Sequence, residues 1–283
     1  MKILTFDIEE WFHILDNEST ENSQNWSDFE VRIHQNMDRI FKILDDHKVS
    51  ATFFCLGWIA KNYPQIVKEI HSMGYEVATH SHMHKLAYKM TQKEYEEDLK
   101  YSIYQLEDIT GEKVVSYRAP GFSVKKDNLW VFESLHKFGI ENDCSIFPAN
   151  RSHGGIPGFE EDKPCKISYD GIILKEFPIN TATILGKRII FSGGGYFRLF
   201  PYWLIKKESQ KQNYVMTYFH PRDFDQEQPM IDDLGLFRKF KSYYGLSKCE
   251  SKLRNWLQDF DFIDLKTAQE RIDWKNSKTV FVH

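Results

Sequence analysis

The stretch Gly74-Tyr75-Glu76-Val77-Ala78-Thr79-His80-Ser81-His82-Met83-His84 reads as a helix-stopping glycine, a short β-rich run, and then histidines at 80, 82 and 84. A strand that follows a helix and ends in ligand-type side chains is the unit of a parallel α/β fold, whose sites form where strands end. Upstream, Ser50-Ala51-Thr52-Phe53-Phe54-Cys55 reads as the preceding strand. Before it, Phe29, Ile33, Met37, Ile40, Phe41 and Leu44 recur at three- and four-residue steps, a helical period. The first strand is Ile3-Leu4-Thr5-Phe6. Downstream, Thr91 with Glu94 three residues on forms a capping box, and the helix it opens carries Tyr95, Leu99, Ile103, Leu106 and Ile109 and stops near Gly111. A strand at 113–117, a helix at 127–138 stopped by Gly139, and a short strand before Asp143 follow. Later strands are expected at 172–177, 214–219 and 262–265.

Strands alternating with helices imply parallel pairing and right-handed crossovers. Seven or eight such units predict a closed or nearly closed (β/α) barrel of parallel strands in one domain over 1–283, with a loop excursion at about 149–170. The chain has 283 residues with 41% hydrophobic, 37 Lys plus Arg against 41 Asp plus Glu, and a net charge of −4. That balance gives no general attraction to nucleic acid or an anionic membrane. No apolar run is long enough to span a bilayer. The opening lacks the features of a secretory signal, and Cys55, Cys144, Cys165 and Cys249 never fall in CxxC spacing. Both features predict a cytoplasmic protein with reduced thiols.

Five chemically capable residues, Asp7, His80, Arg118, Asp143 and His220, each stand at or just past the end of a predicted strand. His80 and His84 can meet one metal ion if a helical turn starts there, with His82 pointing elsewhere. Asp7-Ile8-Glu9-Glu10 offers carboxylates for a general base and for holding a metal. Arg118-Ala119-Pro120-Gly121-Phe122 offers a guanidinium to grip a catalytic carboxylate bidentately, and a turn whose N–H groups could face an oxyanion. His220, in Phe219-His220-Pro221, could donate a proton to a leaving amine, with Asp143 accepting its second ring N–H. Each motif has a plainer alternative: a polar loop, solvated acids, a surface salt bridge, a structural histidine beside proline. Ser192-Gly193-Gly194-Gly195-Tyr196-Phe197-Arg198 lacks the P-loop ending and the dinucleotide pattern. It better suits a tight loop bringing Tyr196 and Phe197 against a sugar face. Trp11, Phe12, Phe122 and Phe147 are further stacking candidates, though core burial is the commoner fate of such residues.

The ordered set Thr5-Phe6-Asp7, His80-Ser81-x-x-His84, Tyr117-Arg118-Ala119-Pro120-Gly121, Asp143 and Phe219-His220-Pro221 resembles the NodB-like polysaccharide deacetylases of carbohydrate esterase family 4. In its Asp-x-Glu opening and GGGYFR segment the chain is similar to the branch associated with exopolysaccharide and exosortase gene clusters. The resemblance spans about residues 3–225. It implies a distorted (β/α) barrel and one divalent metal ion, often zinc. By the same resemblance Asp7 is the base, His80 and His84 are metal ligands, Arg118 tethers the base, His220 is the acid with Asp143 tuning it, and Ser81 braces the loop. The family's usual second aspartate is replaced by Ile8. A branch with aspartate-x-acid spacing implies Glu9 as the third ligand, with Glu10 and His13 as alternatives.

The expected activity is metal-dependent removal of an N-acetyl group from an N-acetylhexosamine in a surface-polysaccharide precursor or polymer, with an N–H near Gly121 or Phe122 holding the oxyanion. Rival readings are hydrolysis of another C–N amide, such as a ureide or cyclic imide, and a non-catalytic carbohydrate-binding barrel.

Overall fold

The computed structural model describes residues 1–149, 153–159, 161–184 and 186–283. Its centre is an eight-stranded sheet in the order Thr279–Phe281, Cys165–Tyr169, Ile172–Glu176, Asn142–Asp143, Ser116–Tyr117, Glu76–Thr79, Thr52–Cys55, Thr5–Ile8. All neighbours but one pair are parallel. Beyond Thr5–Ile8 the ring continues through a parallel bridge between Phe6 and Phe219 and through the pairing of Lys2–Ile3 with Val215–Met216. The last gap is spanned by side chains: Met216 N donates to Asn180 Oδ1 at 2.8 Å, and Tyr214 Oη donates to the Pro178 carbonyl at 2.9 Å. The result is a distorted (β/α) barrel, closed by strands on one side and by polar side chains on the other.

The helices form where the apolar period places them. Ile33–His47 buries Ile33, Met37, Ile40, Phe41, Ile43 and Leu44 against the sheet. Gln92–Thr110 runs between the Thr91 capping box and Gly111, whose φ of 71° takes the left-handed conformation that ends a helix.

Three departures have local causes. Cys165–Tyr169 is a strand inside the stretch expected to be a loop, and it pairs antiparallel with Ile172–Glu176. Asp170 and Gly171, with φ of 45° and 81°, make the tight turn that Asp-Gly favours in hairpins. Of the rest of 149–170, residues 150–152 and 160 lie outside the described residues. The strand expected at 262–265 reduces to a single bridge from Ile263 to Ile3, because Asp264 caps the helix Leu265–Arg271 by accepting from Thr267 N at 2.7 Å. The four cysteines are buried and unpaired. Among the described residues, no helix is long and apolar enough to cross a membrane.

Candidate active site

Strand alternation builds the floor of the site. Along Thr5–Ile8 and the residue after it, side chains two apart share a face, so Asp7 and Glu9 point together while Ile8 enters the core fully buried. Glu9, His80 and His84 are all buried, and each offers a ligand atom within 4.8 Å of the others. His80 Nδ1 lies 2.8 Å from the Arg118 carbonyl. A carbonyl only accepts, so this bond puts the proton on Nδ1 and leaves Nε2 as a lone-pair donor. Burial, more than any neighbour, lowers the His80 pKa to about 4, which keeps the ring neutral. His84 Nε2 is 2.8 Å from Glu9 Oε2, yet that oxygen receives no hydrogen bond, and His84 Nδ1 is also without a partner. Burial opposes ionisation of Glu9, but the His84 and His220 rings outweigh it and hold the carboxyl well below the usual range. A buried carboxylate facing imidazole nitrogens, with an orphaned oxygen between them, is a donor set that fits a divalent ion.

The two histidines are not joined by the helical turn expected. Residues 80–84 form an irregular bend in which Ser81 and His84 take φ of 69° and 52°. Asp98 on the Gln92–Thr110 helix holds it, accepting from His82 N at 2.7 Å and Met83 N at 3.0 Å. The Ser81 carbonyl accepts from Gly57 N and Ser102 Oγ, both at 2.9 Å. The Ser81 hydroxyl, expected to brace this loop, has no partner. His82 turns away onto Tyr101, ring centroids 4.3 Å apart. Glu10, weighed as a ligand, faces the other way: its Oε1 accepts from Arg32 N and Ile33 N at 2.7 and 2.8 Å and caps the Ile33–His47 helix.

Asp7 Oδ1 accepts from Arg118 Nη1 at 2.7 Å. The grip is through one nitrogen rather than the bidentate fork expected, because the same Nη1 also donates to Thr5 Oγ1 at 2.8 Å and Nη2 turns to the Thr217 carbonyl. Phe219 N donates to the Thr5 carbonyl and Asp7 N to the Phe219 carbonyl, which sets His220 beside Asp7. His220 Nε2 stands 3.7 Å from Glu9 Oε1 and 3.8 Å from Asp7 Oδ2.

The partner of the other His220 nitrogen is Asp223, not Asp143. His220 Nδ1 lies 3.1 Å from Asp223 Oδ2, and the His220 backbone N–H donates to the same oxygen at 3.0 Å. Pro221 opens a short helical turn that carries Asp223 back over the imidazole. Burial works against a charged His220, but Glu9, Asp223 and Asp7 outweigh it and raise its pKa to about 9. Arg198 Nε, 2.9 Å from Asp223 Oδ1, helps hold that carboxyl down at about 2 against its own burial. Asp143 instead sits opposite Glu176 in the parallel register. There it accepts from Ser145 Oγ at 2.5 Å, and burial raises it to about 6 and Glu176 well above the usual range. It is a buried carboxyl pair beneath the site and does not line the cavity.

The cavity over these groups is lined by Gly121, Phe122, Phe147, Tyr196, Tyr218 and Arg222 among others. Of the two N–H groups considered for an oxyanion, that of Phe122 donates to the Ala119 carbonyl at 3.0 Å, which leaves Gly121 as the candidate. Gly121 has φ of 60°, and a Cβ there would come within 2.7 Å of Leu15. Tyr196 is 37% exposed at the cavity wall. Phe197 and Trp11, expected as sugar platforms, are core residues: Phe197 packs on Phe219 and Trp256, and Trp11 on Phe12 and Phe29. Their apolar surface is worth more buried than facing solvent. Sequence reading missed Asp223, Arg198, Arg222 and Asp98. For Asp223 the signal was the His-Pro-x-Asp spacing, a turn opener with an acid placed to reach back.

A family model described as polysaccharide deacetylase matches residues 14–139, and one described as a domain of unknown function (DUF3473) matches 144–270. A peptidoglycan deacetylase of Helicobacter pylori is 30% identical over 108 residues, 38% of this chain and 36% of that protein, so the chain spans about a third of that relative's length. A structure named as a polysaccharide deacetylase from Mycobacterium smegmatis is similar with a TM-score of 0.64 at 16% identity, covering 98% of this chain and 91% of that one. A family 4 pseudoenzyme from Bacillus anthracis is similar with a TM-score of 0.52 at 15% identity, covering 100% and 69%. At such identities the two structures speak for the fold. The polysaccharide deacetylase model thus matches the first part of the barrel, residues 14–139, and the two structures share the fold.

Proposed function

We propose that the protein is a metal-dependent N-deacetylase acting on an N-acetylhexosamine of a surface polysaccharide or its precursor, within the exopolysaccharide-associated branch. One observation carries the reading: Glu9, His80 and His84 offer ligand atoms within 4.8 Å of one another, with Asp7 and His220 on one side of them. A divalent ion held there, zinc on this nitrogen and carboxylate donor set, would supply Lewis acidity for a water and the acetyl carbonyl. The chain's own groups do the proton work. Asp7, gripped by Arg118 Nη1 at 2.7 Å, takes a proton from the attacking water. Gly121 N–H faces the developing oxyanion. His220, kept charged by Glu9, Asp223 and Asp7 and held at Nδ1 by Asp223, gives its Nε2 proton to the sugar nitrogen, which otherwise leaves poorly. Acetate and a free amino sugar are the products.

Acetate release from N-acetylglucosamine oligomers and related precursors by the zinc-loaded protein tests the activity. His80→Ala should abolish metal retention, measured by elemental analysis. Asp7→Asn should keep the metal and lower turnover by about 10²-fold or more. Equal metal loss in both would make Asp7 a ligand and overturn this division of roles. A barrel that binds sugar without cutting it has little use for the Asp7–Arg118 and His220–Asp223 pairs, so we assign catalysis.

A further inference from the structure

Of the buried arginines Arg118, Arg198 and Arg222, the first two have a carboxylate in contact, while Asp223 and Glu9 act on Arg222 only at longer range. Arg118 is matched by Asp7 at 2.7 Å and Arg198 by Asp223 at 2.9 Å. Arg222, only 8% exposed, has no such partner. Its Nη1 reaches the Trp11 carbonyl at 3.4 Å, its Nη2 has no hydrogen-bond partner, and among the described residues it forms no ion pair. Its guanidinium carbon lies 5.9 Å from the Tyr243 ring centroid. A buried guanidinium without an anion is costly, and proteins ordinarily pair such a group. Arg222 lines the cavity, and Arg188, Arg238 and Lys241 line it too. Arg238 is spent on the carbonyls of Leu15 and Asp16 and so fixes the wall, while Lys241 is exposed at the rim.

The geometry points to an anion subsite at Arg222, taking a phosphoryl or carboxylate group carried by the sugar substrate, with Lys241 and Arg188 as its outer electrostatic shell. This rests on the deacetylase reading for the sugar, but the anion itself can be tested without turnover. A neutral N-acetylhexosamine would leave Arg222 unpaired in the complex. A sugar phosphate, sugar diphosphate or uronate would pair it through parallel N–H donors, the geometry in which guanidinium excels.

The experiment is calorimetric titration of the zinc-loaded protein with inorganic phosphate, diphosphate and glucuronate, with neutral glucose as control. At least one anion should bind wild type and raise its melting temperature, while glucose does neither. Arg222→Gln should weaken that anion tenfold or more, and Arg222→Lys should weaken it less. Preference for phosphate or diphosphate assigns a phosphoryl-linked precursor, and preference for glucuronate assigns an acidic polymer. Failure of all three anions to bind wild type would overturn the subsite. So would equal affinity in wild type and Arg222→Gln, since the anion would then sit on the metal. Should Arg222→Gln fail to fold, the wild-type titration and Arg222→Lys decide. Binding without acetate release from any substrate would count against the deacetylase reading and leave the subsite standing.

Discussion

His220 is held between carboxylates that act on different atoms. Asp223 orients Nδ1 by hydrogen bonding, while Asp7 and Glu9 stabilise the charge across Nε2. A histidine with its pKa raised to about 9 remains a proton donor through neutrality and loses that role as pH climbs through 9. A cation beside Glu9 opposes part of that rise, so the alkaline limb of turnover should lie at or below 9. Asp223→Asn should move the limb to lower pH, read from a pH–rate profile, because it removes a charge that favours the imidazolium. Asp143 and Glu176 are a different case. Their pKa values are raised by burial, so they favour the fold below their ordinary carboxylate values. For Asp143 that contribution is lost as pH rises through about 6. Glu176→Gln should therefore shrink the fall in melting temperature between pH 5 and pH 8 and leave metal retention unchanged. Asp7, His80, Arg118 and His220 could be marked in the sequence because each stands at or just past the end of a strand, whereas Glu9 came only from the resemblance. The Asp143 role was misassigned because strand position places a residue near the site without saying which neighbour its side chain faces.

At the scale of elements, a buried carboxylate ties the end of the first strand to the start of the first long helix. Glu10, 1% exposed, accepts from two N-terminal amides of Ile33–His47, in place of the side-chain cap the helix lacks at Arg32. Glu10→Ala should cost about 1–2 kcal/mol, visible as a melting temperature lower by a few degrees, with metal content unchanged. Loss of metal in that variant would return Glu10 to the ligand set. The helices were legible because amphipathic period and caps are local: the Thr91 box and Gly111 end the Gln92–Thr110 helix where the sequence puts them. Of the antiparallel hairpin at 165–176, the second strand was expected at 172–177, but the first was missed because it lies in a stretch too irregular to suggest a strand. The bend at 80–84 was missed because Asp98, which shapes it, is far away in sequence.

Across the whole molecule, the barrel depends on close backbone approach near the site. Gly193 bridges Tyr218 in parallel, and a Cβ at 193 would fall 2.0 Å from the Tyr218 carbonyl oxygen. Gly193→Ala should cost about 1–3 kcal/mol, seen in thermal melts, with activity falling further as Tyr218 and the neighbouring His220 shift. The glycine run was expected to be a tight loop, but Gly194 and Gly195 open the helix Gly194–Leu199, and the pairing of Gly193 with Tyr218 was not legible. Closure of the ring by Asn180 and Tyr214 was equally invisible, since it uses side chains where a regular sheet would use backbone.

Arg198 connects two things that would otherwise be independent. Its Nε meets Asp223, while its other nitrogens donate to the carbonyls of Lys241, Ser242 and Tyr244. Those carbonyls end the Leu236–Tyr243 helix, which buries none of its own side chains. This rim segment is thus tied to the protein partly through the residue that holds Asp223, the partner of the proposed acid His220. A sugar chain that pulled the rim inward or pushed it away would tug the same guanidinium. Engagement of the polymer and readiness to protonate its nitrogen would then rise and fall together.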